Sequence, residues 1–123
     1  MAEVFNRANI GPKNYDIDSW ETIHEVQSSI VGSLMFYFCA TNVTSDDTED
    51  MPKTAIKINA RIIDSEGNIV HWIVPNRIIE SGNLSFDVDQ KIVMKPGDKL
   101  QVRASDRGIV FYASLLTGLR MTV

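Results

Sequence analysis

Few side chains in this 123-residue chain could carry nucleophilic or transition-metal chemistry: two histidines, His24 and His71, and a single cysteine, Cys39. A structural or catalytic zinc needs three or four such ligands at short, characteristic spacings, and no C-x-x-C or H-x-x-x-H pair is present. Cys39 falls inside the aromatic run Phe36-Tyr37-Phe38-Cys39-Ala40. That context places it on a buried apolar strand, where a thiol stays protonated and inert. No serine sits in a G-x-S-x-G elbow and no glycine-rich loop could cradle a phosphate. These absences argue against an enzyme and against a bound metal or cofactor.

Three other constellations invite a functional reading. Asp46-Asp47-Thr48-Glu49-Asp50 gathers four carboxylates in five residues, without the alternating ligands and sharp-turn glycine of a calcium loop. It reads as a solvated acidic loop able to meet a basic partner surface. Trp20 and Trp72 could stack on a sugar ring, although large aromatics in a small β protein usually fill the core. Asn42-Val43-Thr44 and Asn83-Leu84-Ser85 match the N-glycosylation pattern, and with no secretion signal both read as coincidences.

The elements that must position these residues are strands. Leu100, Val102 and Ala104 alternate with Lys99, Gln101, Arg103 and Ser105, the period of two that marks a half-buried strand. Thr54–Ile63 does the same, with Ile56, Ile58, Ala60 and Ile62 inward and Lys57, Asn59 and Arg61 outward. Ile30–Asn42 is apolar on both faces: Leu34, Phe36, Phe38 and Ala40 share one, Met35, Tyr37, Cys39 and Thr41 the other. Trp20–Val26 is expected as a strand with Trp20, Thr22, His24 and Val26 on one side. Asp64–Asn68 is expected as a hairpin turn that uses Gly67, and Pro96-Gly97-Asp98 as a second turn. Ile69–Val74 should stop at Pro75, followed by short strands at Arg77–Glu80 and Leu84–Val88.

About eight or nine short strands with turn signals every 8–12 residues or so predict an all-β fold, an antiparallel β-sandwich that is jelly-roll-like. One domain is expected over residues 19–123, preceded by an extended arm over residues 1–18. The net charge of −4 and the scatter of Lys and Arg along the chain argue against a general nucleic-acid binder. No apolar run reaches membrane-spanning length, which predicts a protein without a membrane partner, made in a reducing cytoplasm. The lone cysteine rules out an internal disulfide, so stability must come from packing or from self-association.

The order of these segments resembles a family of small β-sandwich virion structural proteins of tailed bacteriophages. The matching pieces are Thr22–Val26, Ser33–Asn42, Asp64–Gly67, Ile79–Leu84, Lys91–Ser105 (KIVMKPGDKLQVRAS) and Val110–Leu116, so the resemblance spans residues 20–116. The chain departs from that pattern at Gln27-Ser28-Ser29, where a Pro-Ala-Gly turn is usual, and in its tail Thr117–Val123. The resemblance implies a non-enzymatic, homo-oligomeric decoration, cement or neck-collar component. It would be made in the bacterial host cytoplasm and act in the virion against capsid, portal, neck or tail proteins. The residues expected at partner contacts are Phe5 and Ile10 in the arm and Asp46, Asp47, Glu49 and Asp50 in the acidic loop. The alternative is a carbohydrate-binding module of a tail tip or fibre that uses Trp20 or Trp72.

Overall fold

Alternating sequences become strands here because one face can be buried, and among the described residues nine strands form. They are β1 (Val4–Ile10), β2 (Glu21–Glu25), β3 (Val31–Asn42), β4 (Ile56–Ile63), β5 (Ile69–Ile79), β6 (Leu84–Val88), β7 (Ile92–Met94), β8 (Lys99–Ala104) and β9 (Ile109–Arg120). The structure, a computed structural model, describes residues 4–27, 31–46, 50–82 and 84–120. A first sheet runs β1-β9-β3-β6, with β7 also on β3, and a second runs β2-β8-β4-β5.

The pairing is nested. β4 pairs with β5, β3 with β6 and β7, β2 with β8, and β1 with β9, all antiparallel. The chain is therefore one long hairpin folded over on itself, which brings β9 beside β3 and β8 beside β4. This winding is a jelly roll, in which two Greek keys share one core. The fold class expected from alternation is the one observed.

Between the sheets lie Met35, Phe38, Ile56, Ile58, Ile62, Met94, Leu100, Val102, Ile109, Phe111 and Leu115, all essentially inaccessible to water. Both predicted turns form. Asp64 Oδ1 accepts from the amides of Glu66 and Asn68, and Gly67 takes the positive φ of the hairpin. At Pro96-Gly97-Asp98, Asp98 is buried and accepts from the Lys95 amide. Gly108 permits a close approach: a Cβ there would lie 2.2 Å from Thr44 Cγ2, while its carbonyl accepts from the Val43 amide.

Bulges correct the sequence reading at three places. Between Met35 and Tyr37 the register with β9 slips by one, so Phe36 is an extra residue. A one-residue slip exchanges the faces. Met35 therefore joins Phe38 and Ala40 inside, while Phe36, Tyr37 and Cys39 are half-buried on the outside. Cys39 is thus not a core residue. In β2 a slip between Thr22 and His24 sends these two to opposite faces. In β5 the strand does not stop at Pro75: Pro75 and Asn76 bulge out opposite Asn59, and Asn76 adopts φ 50°. Proline is tolerated because β5 is an edge strand and the Asn76 amide finds the Asn59 side chain at 2.8 Å.

The segment read as an arm lies against its own molecule. Val4–Ile10 pairs with β9 over seven residues. Tyr15 is buried beyond it, its ring edge-on to Phe111 at 5.9 Å. Its hydroxyl accepts from the Ile109 amide and donates to the Ile109 carbonyl, each at 2.9 Å. Burial pushes the phenol up to about 12, so it stays protonated and able to donate.

His24 links the two sheets. Its Nε2 lies 3.1 Å from Ser33 Oγ on β3, and burial lowers the pKa of the imidazole. The neutral form is favoured in the folded protein, so the unfolded chain takes up a proton first as pH falls. Stability supplied by His24 is complete above about pH 6.5 and declines below it, towards the lower folded-state pKa. The wild-type melting temperature should consequently fall more between pH 7 and pH 5 than that of His24→Gln. Equal falls would show that His24 is not the responsible group.

Candidate assembly surfaces

The two sheets turn very different outer faces to solvent. On the first sheet a single cross-strand row joins Phe5 of β1, Leu116 of β9, Leu34 of β3 and Val93 of β7. Their immediate neighbours Met35, Met94 and Leu115 point into the core, so this row points out. Phe5 is 77% exposed and Val93 49% exposed. Phe36 adds to the row because its bulge turns it outward, edge-on to Phe5 at 5.9 Å. A cleft of about 380 Å³ opens beside it, lined by Phe5, Asn6, Arg7, Phe36, Tyr112 and Ser114. Further along the face the surface becomes mixed, with Tyr37 and Tyr112 ring to ring at 6.4 Å.

Contiguous apolar rows of this kind are uncommon on monomers and mark contact sites. On β3 the residues that face outward here are Leu34 and Phe36, both half-buried, while Met35 is in the core.

The second sheet shows cations. Its inward residues Ile58, Ala60, Ile62, Leu100 and Val102 leave Lys57, Arg61, Lys99 and Arg103 on the outside. The Arg61 guanidinium lies 3.8 Å from the Trp20 ring centroid, and that of Arg103 lies at 4.6 Å. Trp72 packs at 6.0 Å from Trp20 and keeps 41% of its surface exposed. Arg61 Nε donates to Gln101, whose amide nitrogen donates to Thr22. Partial burial and the positive charge of Arg103 lower the pKa of the Arg61 guanidinium. Among the described residues the ion pairs are Lys13–Asp50 and Arg107–Asp16, so neither stacked arginine has a carboxylate partner.

The residues expected at contacts are scattered. Phe5 stands on the exposed apolar row. Ile10 is half-buried and packs against the core of its own molecule. Asp46 is exposed, whereas Asp47 and Glu49 lie outside the described residues. Asp50 pairs with Lys13, whose hydrogen bond and charge lower the carboxyl pKa. Loop and arm thus meet at one end of the sandwich, beside a cleft of about 340 Å³ that also involves Ile17, Asp106 and Arg107.

Sequence reasoning missed Leu34, Val93 and Leu116 as one row. Their alternation was visible, but the register that aligns them was not. It also missed Arg61 and Arg103 around Trp20, because β2, β4 and β8 supply these residues from distant parts of the chain. His24, His71 and Cys39 stay apart, and among the described residues no three His, Cys, Asp or Glu side chains converge to hold a metal ion.

No protein-family model matches the chain, and no curated protein sequence matches it. Among solved structures it is similar to a chain of the T13 IBDV viral particle, with a TM-score of 0.51 at 9% identity. That likeness covers 96% of this chain, which spans only 31% of the length of its counterpart. A pentameric capsid protein isolated from metagenomic phage sequences gives a TM-score of 0.40 at 10% identity, over 97% of this chain and 68% of that one. At 9% identity the likeness to the viral-particle chain is one of fold.

Proposed function

We propose that this protein is a non-enzymatic structural component of a virion, a homo-oligomeric decoration, cement or neck-collar protein of a tailed phage. The observation that carries this reading is the outward apolar row Phe5–Leu116–Leu34–Val93 on a jelly roll, with Phe5 and Val93 exposed at its ends and Leu116 and Leu34 half-buried between them. The likeness of the fold to a chain of a viral particle supports it. Apolar burial at this row would drive association, since hydrophobic contact is the main favourable term in stable subunit interfaces. Phe5, Ile10 and the acidic loop Asp46–Asp50 remain the proposed contact residues towards other virion proteins, with Leu34, Val93 and Leu116 added. The acidic loop would meet a basic surface of the partner.

Deleting residues 1–16 is a poor test, because it removes β1 and Tyr15 from the fold along with any contact they make. Substitution on the exposed row is cleaner. The wild type is expected to have the native mass of a closed oligomer, and Phe5→Asp/Val93→Asp that of a monomer. The same double substitution should lower incorporation into particles. A wild-type monomer that enters particles as well with the substitutions as without them would overturn the reading.

The glycan-stacking alternative has one observation in its favour, the exposure of Trp72. Trp20 is already covered by two guanidinium groups. Titrating host-surface glycans against tryptophan fluorescence tests it, and a silent panel counts against it.

A further inference from the structure

The second sheet ends in a strand whose outer edge is open. β5 is the last strand in the order β2-β8-β4-β5, and β4 is its strand partner there. Natural edges are usually shortened, charged or covered, because their free N–H and C=O groups recruit other strands. β5 is eleven residues long and carries Ile69, Val70 and Trp72 exposed along its first half. The Pro75–Asn76 bulge blunts the second half; single-residue slips at Ile73 and Val70 also interrupt the first half, which is the open part of the edge, Ile69–Val74.

Beside that edge lies the cationic face. Trp72 stands in register with Arg61, and Arg61 in register with Gln101. Arg61 and Arg103 crowd one indole without a carboxylate between them, and Lys57 and Lys99 point the same way. Glu25 stands opposite Lys99, which leaves Lys57, Arg61 and Arg103 as the surplus cations of this face in a molecule that carries −4 as a whole. Two like charges held together over one ring make a site that is complete only when an anion arrives.

We propose that the β5 edge takes up an extended acidic segment of another protein, which adds as a further strand at Ile69–Val74. Carboxylates on its outer face pass over Trp72 and reach Arg61, while its alternate apolar side chains turn to the opposite face. An added strand lies two strand spacings from β4, roughly 9–10 Å, a gap that a Glu side chain and an Arg side chain span between them. Arg103, one strand further away, acts through its field. A polypeptide is favoured over a polyanionic sugar or nucleic acid because a bare strand edge offers main-chain pairing that only a peptide can use. A second copy of this chain is disfavoured, since its matching face would bring the same surplus of cations. The inference concerns the sheet opposite the apolar row and stands independently of the assembly reading.

The test uses the full-length protein and an end-blocked octapeptide of alternating Glu and Val, followed by tryptophan fluorescence and amide hydrogen exchange. Binding should slow exchange within Ile69–Val74 and weaken as salt rises. Arg61→Gln should weaken it on the order of tenfold, and Arg103→Gln roughly two- to threefold. A Lys–Val octapeptide, a Glu–Val octapeptide N-methylated at alternate residues, and sodium polyglucuronate should each bind at least about tenfold more weakly. Equal binding of the Lys–Val peptide removes the electrostatic part of the proposal, and equal binding of the N-methylated peptide or polyglucuronate removes strand addition. Unchanged exchange at Ile69–Val74 overturns it even if Arg61→Gln proves too unstable to assay.

Discussion

Replacing Asn42 with alanine is expected to cost about 3–5 kcal/mol of folding stability, as much as a large core truncation. Asn42 ends β3 with no exposed surface, and all its side-chain polar atoms are engaged. Its amide nitrogen donates to the carbonyls of Thr54 and Ile79, both at 2.8 Å. Its carbonyl oxygen accepts from the Thr44 amide at 3.0 Å and the Thr44 hydroxyl at 2.6 Å. Thr44 in turn accepts from the Thr54 amide. The side chain thus ties the end of β3, in the first sheet, to the start of β4 and the end of β5, in the second. Alanine strands the Ile79 carbonyl and the Thr44 amide in a dry site, each at about 1–3 kcal/mol, and loosens the rest of the network. Asn42→Asp should be no milder, because it sets a carboxylate against two carbonyl oxygens. Urea denaturation measures the effect, and a loss below about 1 kcal/mol would show that water replaces the side chain. The same burial explains why the Asn42-Val43-Thr44 pattern is no glycosylation site in the folded protein: its asparagine and threonine are both inside.

Phe111→Ala should be comparably severe, at about 3–5 kcal/mol. The ring is fully buried near the middle of the sandwich, tilted against Phe38 at 6.2 Å and edge-on to Tyr15 at 5.9 Å. In the ladder it stands between Ile10 of β1 and Ala40 of β3, so its cavity would open under both neighbouring strands. Tyr15 would lose the surface that seats its hydroxyl on Ile109, and amide exchange at Ile109 should accelerate along with the global loss. Phe111→Leu keeps most of the volume and should cost substantially less. If alanine were no worse than leucine, the site would collapse freely and the packing account would fail. For a domain whose total stability is on the order of 5–15 kcal/mol, either alanine variant removes a large share.

The two residues were not equally visible in the sequence. Phe111 lies in the run GIVFYASLL, which reads as a strand at once. Asn42 was only the polar end of an apolar segment, because its four hydrogen-bond partners come from three further places in the chain. The expected contact residues divide in the same way. Phe5 is exposed as an arm residue would be, yet what makes it part of a surface is its alignment with Leu116, Leu34 and Val93. Ile10 turns inward because the even positions Ala8 and Ile10 of β1 face the core beside β9.

The class of fold and much of its core follow from local pattern alone. Alternation in Ile56–Ile62 and Leu100–Ala104 depends only on the two-residue pleat, and the turns at Asp64–Asn68 and Pro96–Asp98 depend on local side-chain and glycine chemistry. Tertiary structure alone decided the bulges at Phe36, at Ile23 and at Pro75–Asn76. Where a bulge sits is settled by the register with a partner strand, and one slipped residue reverses every side chain beyond it. It also decided which strand β1 joins and which sheet edge stays open. The apolar row and the arginine-flanked tryptophan exist for the same reason: each assembles residues from several strands, and only the nested winding of the hairpin makes those strands neighbours.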